Sequence, residues 1–192
     1  VSAFDLHPIV RRYAYDRLTA TDRTDAHARL VDYFEAVPTP QKVSTLEDLA
    51  PVIELYHHMV RAGNLDEAIK LFHDRLASQL LYQFGAYQLR IELLRALFVD
   101  GEDKPPRLKT DDYQAWTLNA LGATYGMSGQ PYYSVKLREM AIEIDGKNNN
   151  KKSLAIVLGN VAQQQLAIGA LSAAERNLRR LIDLCREIAD EH

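Results

Sequence analysis

His57 and His58 are the adjacent pair in this 192-residue chain whose type most invites chemistry. Their spacing argues against it. Neighbours on a helix point about 100° apart, so the pair does not readily chelate one metal. A satisfied or solvent-facing pair is the better reading. Asp111 and Asp112 open an apolar pattern and suit dipole compensation at a helix N-terminus. Asp190 and Glu191 read as solvated chain end. The single Cys185 falls in the run Leu178, Leu181, Ile182, Cys185, Ile188, one face of a helix, and is expected to be a small buried hydrophobe. Arg176, Arg179 and Arg180 cluster on that same helix, and Arg11 and Arg12 stand near the start of the chain. With Asp183 and Glu187 as local partners, the last-helix cluster reads as a solvated face.

Motifs that would carry a reaction are missing from the sequence. It has no Gly-x-x-x-x-Gly-Lys-Ser/Thr phosphate loop, no His-Glu-x-x-His, no cysteine cluster and no Gly-x-Ser-x-Gly elbow. No catalytic residue, metal ligand or cofactor is assigned, and the chain is expected not to be an enzyme.

Apolar residues make up 47% and charged residues 26%, with a net charge of −3, as in an ordinary globular protein. That charge gives no basic surface for nucleic acid. No apolar run approaches the ~20 residues of a membrane helix, and no signal peptide is visible. With one cysteine, a reducing, cytoplasmic location is the expectation. The chain starts at Val1 with a pattern already under way, as a piece of a longer protein would.

Helical periodicity runs throughout and strand alternation is almost absent, so the fold class is all-α. Pro8 opens a helix over 8–18. A second covers 21–36, with Thr21 or Asp22 as N-cap. Residues 37–45 form a linker, because Pro38 and Pro40 break any helix. About four helix pairs follow over 46–192. The first is 46–62 with 65–76. The second is irregular, a short helix near 77–84, Gly85, then 86–99. The third is 111–127 with 131–144, and the last is 152–168 with 171–189. Residues 100–110 and 145–152 read as loops, the latter long and mobile.

Three of these pairs share one layout, a turn glycine with a small residue five positions later: Gly63 and Ala68, Gly129 and Ser134, Gly169 and Ala174. A bulky apolar residue follows by four in two of them, Phe72 and Leu178, whereas Arg138 breaks that slot in the middle copy. Such units bury their apolar faces only by stacking, which leaves a long surface for a partner.

Residues 46–189 resemble tetratricopeptide repeats. Leu121-Gly122, Tyr125, Gly129, Ser134 and Ala141 match that family's slots best; Tyr56, Gln165 and Arg138 depart from them. The resemblance implies an α-α superhelix of helical hairpins whose first helices line a concave groove. Carried over slot by slot, the groove residues are Glu54, His57 and Arg61, then Trp116, Asn119 and Ala123, then Asn160 and Gln163. Gln79, Tyr82 and Gln83 join them if the irregular pair keeps register. Trp116 is either a groove anchor or core. The amides suit an extended peptide backbone or a sugar-like ligand.

The first 36 residues resemble another family. Phe4-Asp-Leu6-His7-Pro8-Ile9-Val10-Arg-Arg-Tyr13-Ala14, with the later Ala28 to Phe34 helix, is similar to the end of the winged-helix domain of STAND-class signal-transducing NTPases, which include NB-ARC and NACHT proteins. There a repeat array follows directly, as here. This resemblance implies an upstream nucleotide-binding domain using ATP and ADP, with His7 at the position that approaches bound ADP; capping or edge packing is the alternative role. Together the two resemblances imply a non-catalytic sensor arm that binds a protein, a peptide or a small inducer. A general tetratricopeptide scaffold for complex assembly is the alternative.

Overall fold

The computed structural model describes residues 7–38, 40 and 42–190, apart from the side chain of Arg11. Phe4, Asp5, Leu6 and Glu191, named above, lie outside the described residues. Among the described residues the chain is all-α, with no strand. It forms two compact units, residues 1–68 and 69–192.

The first unit begins with α1 (Pro8–Arg17). His7 is its N-cap, and His7 Nδ1 accepts the backbone N–H of Ile9 at 3.3 Å. Pro8 sits in the first turn, where a missing N–H costs no helical bond. Helix α2 (Ala20–Glu35) is capped by Thr19, not by Thr21 or Asp22 as its apolar pattern suggested. The reason is a reciprocal capping box. Thr19 Oγ1 accepts from the Asp22 N–H at 3.1 Å, and the Thr19 N–H donates to Asp22 Oδ2 at 3.3 Å. A single 3-10 turn (Glu47–Leu49) leads into α3 (Ala50–Arg61), which starts later than the expected residue 46. Pro51 accounts for this, since proline is tolerated in the first turn of an α-helix and not beyond it. Helix α2 packs on α3, burying Val31 and His27 of the one and Leu55, Tyr56, His58 and Met59 of the other.

Helix α4 (Leu65–Arg75) spans the division between the units. The second unit continues with a π-helical turn (Gln79–Gln83), α5 (Tyr87–Arg95), α6 (Asp111–Met127), α7 (Pro131–Lys147), α8 (Lys151–Ala167) and α9 (Leu171–Asp190). Each helix from α5 onward packs on the next, and α6 also touches α8. Short turns make α6–α7 and α8–α9 antiparallel hairpins laid in series. Ser134 and Ala174, the small residues after the turn glycines, are fully buried, as is Ala68 of the first unit. Small side chains there let helices approach closely.

The turns share one construction. Gly129 and Gly169 take φ of 79° and 76°, a left-handed conformation free of a Cβ clash only for glycine. The next N–H reaches back along the chain: Gln130 to the Tyr125 carbonyl and Ala170 to the Gln165 carbonyl, each at 2.8 Å. The α7–α8 connection uses the same device with Asn149 at φ 53°, and the Asn150 N–H donates to the Asp145 carbonyl at 3.0 Å. This corrects the expected loop over 145–152. Helix α7 runs on to Lys147, and the connection is only Asn148, Asn149 and Asn150. Two of those side chains are engaged: Asn148 Nδ2 donates to Asp111 Oδ2 at 2.8 Å and Asn150 Nδ2 to Asp112 Oδ1 at 3.1 Å.

Cys185 is exposed, against the expectation of burial. The inward stripe of α9 is Ala174, Leu181, Leu184 and Ile188, of which Leu181 and Ile188 are partly buried against the core of Leu154, Leu158 and Leu184. Leu178, Ile182 and Cys185 lie along one flank of that stripe and are exposed.

Candidate functional site

Helical spacing gathers one face of α6 and one of α8. On α6, Trp116, Asn119, Ala123 and Met127 recur at intervals of three or four, and on α8 so do Ile156, Asn160 and Gln163, with Gln164 beside them. These faces share a groove of about 780 Å³, which His73, Tyr82 and Arg90 also line.

Five of the groove residues expected from the sequence therefore come together: Trp116, Asn119, Ala123, Asn160 and Gln163. Tyr82 joins them, 77% exposed, while Gln79 and Gln83 are not among the lining residues. Glu54, His57 and Arg61 stand on α3 in the first unit and are not among them either. Arg61 lines a separate shallow pocket with Pro8, Arg12 and Tyr15.

Trp116 is half-buried. Its ring meets Phe72 edge-on at 6.3 Å and His73 at 4.9 Å, so it is braced by α4 while lining the groove. Asn119 Oδ1 accepts from Arg138 Nε at 3.2 Å and from Asn160 Nδ2 at 3.4 Å. The Asn160 carbonyl accepts from Arg138 Nη1 at 3.1 Å. Arg138 thus ties α6 to α8 beneath the groove. Its stem passes Gly122, where an added Cβ would stand 3.1 Å from Arg138 Cγ and 3.2 Å from the Ser134 carbonyl oxygen. At Gly126 an added Cβ would stand 2.9 Å from the amide of Gln164, so that glycine leaves room for a second polar group of the groove.

Arg90 and Arg138 are the members that sequence reasoning missed. Both line the groove and are almost wholly buried. Arg90 Nη1 donates to Thr124 Oγ1 at 2.8 Å. Burial pushes both guanidinium groups down to about 10, which leaves them charged at neutral pH. The available signal was Arg138 itself, a cation in an otherwise apolar slot.

A second, smaller cavity of about 390 Å³ lies beside α5, α6 and α7. Its charges are matched within the fold: Arg95 pairs with Glu102 at 2.5 Å, Lys136 pairs with Asp103, and Tyr125 Oη donates to Glu102 at 3.0 Å. Burial and that carboxylate push the Tyr125 phenol up to about 12. Among the described residues, no group of three or more His, Cys, Asp or Glu could hold a metal ion, and no helix is long and apolar enough to cross a membrane. No protein-family model matches the chain, and no curated protein matches it. A crystal structure of nearly identical TPR-like repeats, from a single-substitution variant of a Podosopora anserina protein assigned as a kinesin light chain, is similar at 18% identity and a TM-score of 0.49, over 95% of this chain and 93% of that one.

Proposed function

We propose that the chain is a non-catalytic recognition module that holds a segment of a partner protein or peptide in the groove of its second unit. One observation carries this reading. A half-buried tryptophan, an exposed tyrosine and four side-chain amides line one cavity large enough for several residues of a guest. Aromatic anchors supply contact area, and amides pair with a peptide backbone. Trp116 is the sole tryptophan, so its emission reports on the groove. Titration with an arrayed set of random short peptides, and separately with sugars, tests the reading. A blue shift with peptides supports it; sugars alone producing the shift would reassign the groove to a small inducer.

Within that role, we propose the sensor arm of a STAND-type switch. His7 Nδ1 accepts the Ile9 N–H, so the ring proton resides on the exposed Nε2, free to donate to a phosphate oxygen of a nucleotide held by an upstream domain. A ligand favouring the open state would then shift the switch by its differential affinity. A phosphate-loop ATPase encoded in frame before Val1 supports this role. Its absence there would leave the general scaffold for complex assembly.

A further inference from the structure

We propose that α9 pairs antiparallel with α9 of a second copy of this chain, so that the molecule is a two-fold dimer in solution. The face involved lines no part of the groove, so the pairing stands apart from the recognition role given above.

The outer side of α9 carries an uncovered apolar stripe. Leu171, Leu178, Ile182, Cys185 and Ala189 stand at intervals of seven, four, three and four. At about 100° per residue they fall within about 60° of one another. All five are exposed, Leu171 by 65%, Leu178 by 38% and Ile182 by 51%. The helix is held to the fold by a different side, where Leu181, Leu184 and Ile188 pack toward α8. Apolar residues recurring at three and four form the seam of a helix pair. Left in water on the outside of a stacked array, such a stripe is a liability that a matching helix removes.

Charge selects the occupant. Arg176, Arg179 and Arg180 against Glu175 give residues 171–180 a charge of +2, and Asp183, Glu187 and Asp190 against Arg186 give residues 181–190 a charge of −2. This is the reverse of the order that the helix dipole favours, acids first and bases last. Helices α4 and α6 open on acidic residues, and α4, α5 and α7 close on basic ones, whereas α9 does neither. The reversed order does not stabilise the helix itself. It does match a second α9 running the other way, whose acidic half lies along the basic half of the first, twice over. A parallel copy would set like charges together. Two-fold pairing is reciprocal, each residue meeting its counterpart and being met in return. With the axis beside Arg180, Leu178 meets Ile182 of the second copy, and Leu171 meets Ala189. Glu175 then falls within one residue of Arg186 of the second copy, on the flank of the seam. Both are exposed, and each pairs along its own helix, Glu175 with Arg179 and Arg186 with Asp183. The 20 residues of α9 offer about 30 Å of helix for the contact.

Analytical ultracentrifugation of the full chain tests the pairing from micromolar to near-millimolar concentration, under reducing conditions so that exposed Cys185 forms no cross-link. The weight-average mass is expected to rise with concentration and to level at two chains. Ile182→Ser, at an exposed position, is expected to keep the chain single while circular dichroism is unchanged. Glu175→Arg and Arg186→Glu are each expected to weaken the dimer roughly tenfold, because each sets like charges together at both ends of the seam. Combined in one chain, the two changes restore opposite charges and with them the dimer. If a variant fails to fold, the wild-type chain still decides. A single-chain mass at every concentration overturns the proposal and leaves the groove reading untouched. A dimer that Ile182→Ser does not weaken also overturns it, because the contact then lies elsewhere. Growth beyond two chains overturns the two-fold pairing, and a double variant no stronger than either single one overturns the antiparallel arrangement.

Discussion

His27 Nδ1 lies 3.0 Å from His58 Nδ1, in a buried stack at the α2–α3 contact. The Glu54 carboxylate near His58 Nε2 favours one assignment of the ring protons. Tyr15 Oη, 3.0 Å from His27 Nε2, donates to it; His27 Nδ1–H donates to His58; and His58 Nε2–H points to Glu54, 4.0 Å away. Both rings are then neutral, and a further proton breaks the chain. Burial lowers both histidines below their ordinary value; charge on His27 further lowers His58, Arg61 lowers both, and Glu54 counters this at His58.

Acid is therefore expected to destabilise the first unit. A depressed folded-state value contributes stability that is present above the unfolded value, near 6.5, and is lost as pH falls through the lowered folded one. Denaturant melts from pH 7.5 down to 5 should show a falling midpoint, and His58→Gln should flatten that dependence. An unchanged slope in the variant would detach the histidine pair from the effect.

Asp145 is expected to behave oppositely. It is buried, with Ser153 Oγ donating to it at 2.7 Å, and burial raises its carboxyl above the usual value. A raised folded-state value contributes stability below the unfolded value, near 3.9, and loses it as pH rises through the folded one. Ionised Asp145 thus costs stability at neutral pH. Asp145→Asn, which keeps the acceptor for Ser153, should raise the thermal midpoint at pH 7 and lose that advantage in acid. A lower midpoint at pH 7 would contradict this account.

Much of the second unit was legible in the sequence because its signals are local. The pattern of α6 was bounded by the 100–110 loop and by Gly129, and the observed helix occupies the expected 111–127. The Asn run was misread for a physical reason. A glycine announces a left-handed turn, whereas Asn148 to Asn150 look like any polar loop, although Asn149 adopts the same conformation. The π-helical turn was hidden too. The Phe84 N–H donates to the Gln79 carbonyl five residues back, and that inserted residue spoiled the register read over 77–84. Arg138 was visible only as a defect in a repeat. Its tie to Asn119 and Asn160 depends on helices distant in sequence.

Shortening the α7–α8 turn is expected to be damaging. Asn149→Ala should cost about 1–2 kcal/mol, the penalty for a left-handed residue other than glycine or asparagine. Deleting Asn148 to Asn150 removes the whole connection and both bonds to the α6 N-terminus, and should abolish cooperative melting of the second unit. A deletion variant that melts like the parent would show the turn to be dispensable.

Gly122→Ala sets helix propensity against packing. Alanine is favoured within a helix by about 1 kcal/mol. The new Cβ would press on Arg138 Cγ and on the backbone oxygen of Ser134, which moves only with α7. Overpacking of this kind costs roughly 1–3 kcal/mol, so a net loss in urea-melt stability is expected. A gain would mean that the α6–α7 crossing yields more easily than its distances indicate.

The most direct test of the recognition groove is nuclear magnetic resonance of the labelled chain, with a peptide selected for binding from the random array. The account predicts that the Trp116 indole and the side-chain amides of Asn119, Asn160 and Gln163 shift together and saturate at one affinity. Shifts confined to the charged cavity around Tyr125 and Lys136, or to the outer face of α9, would contradict it.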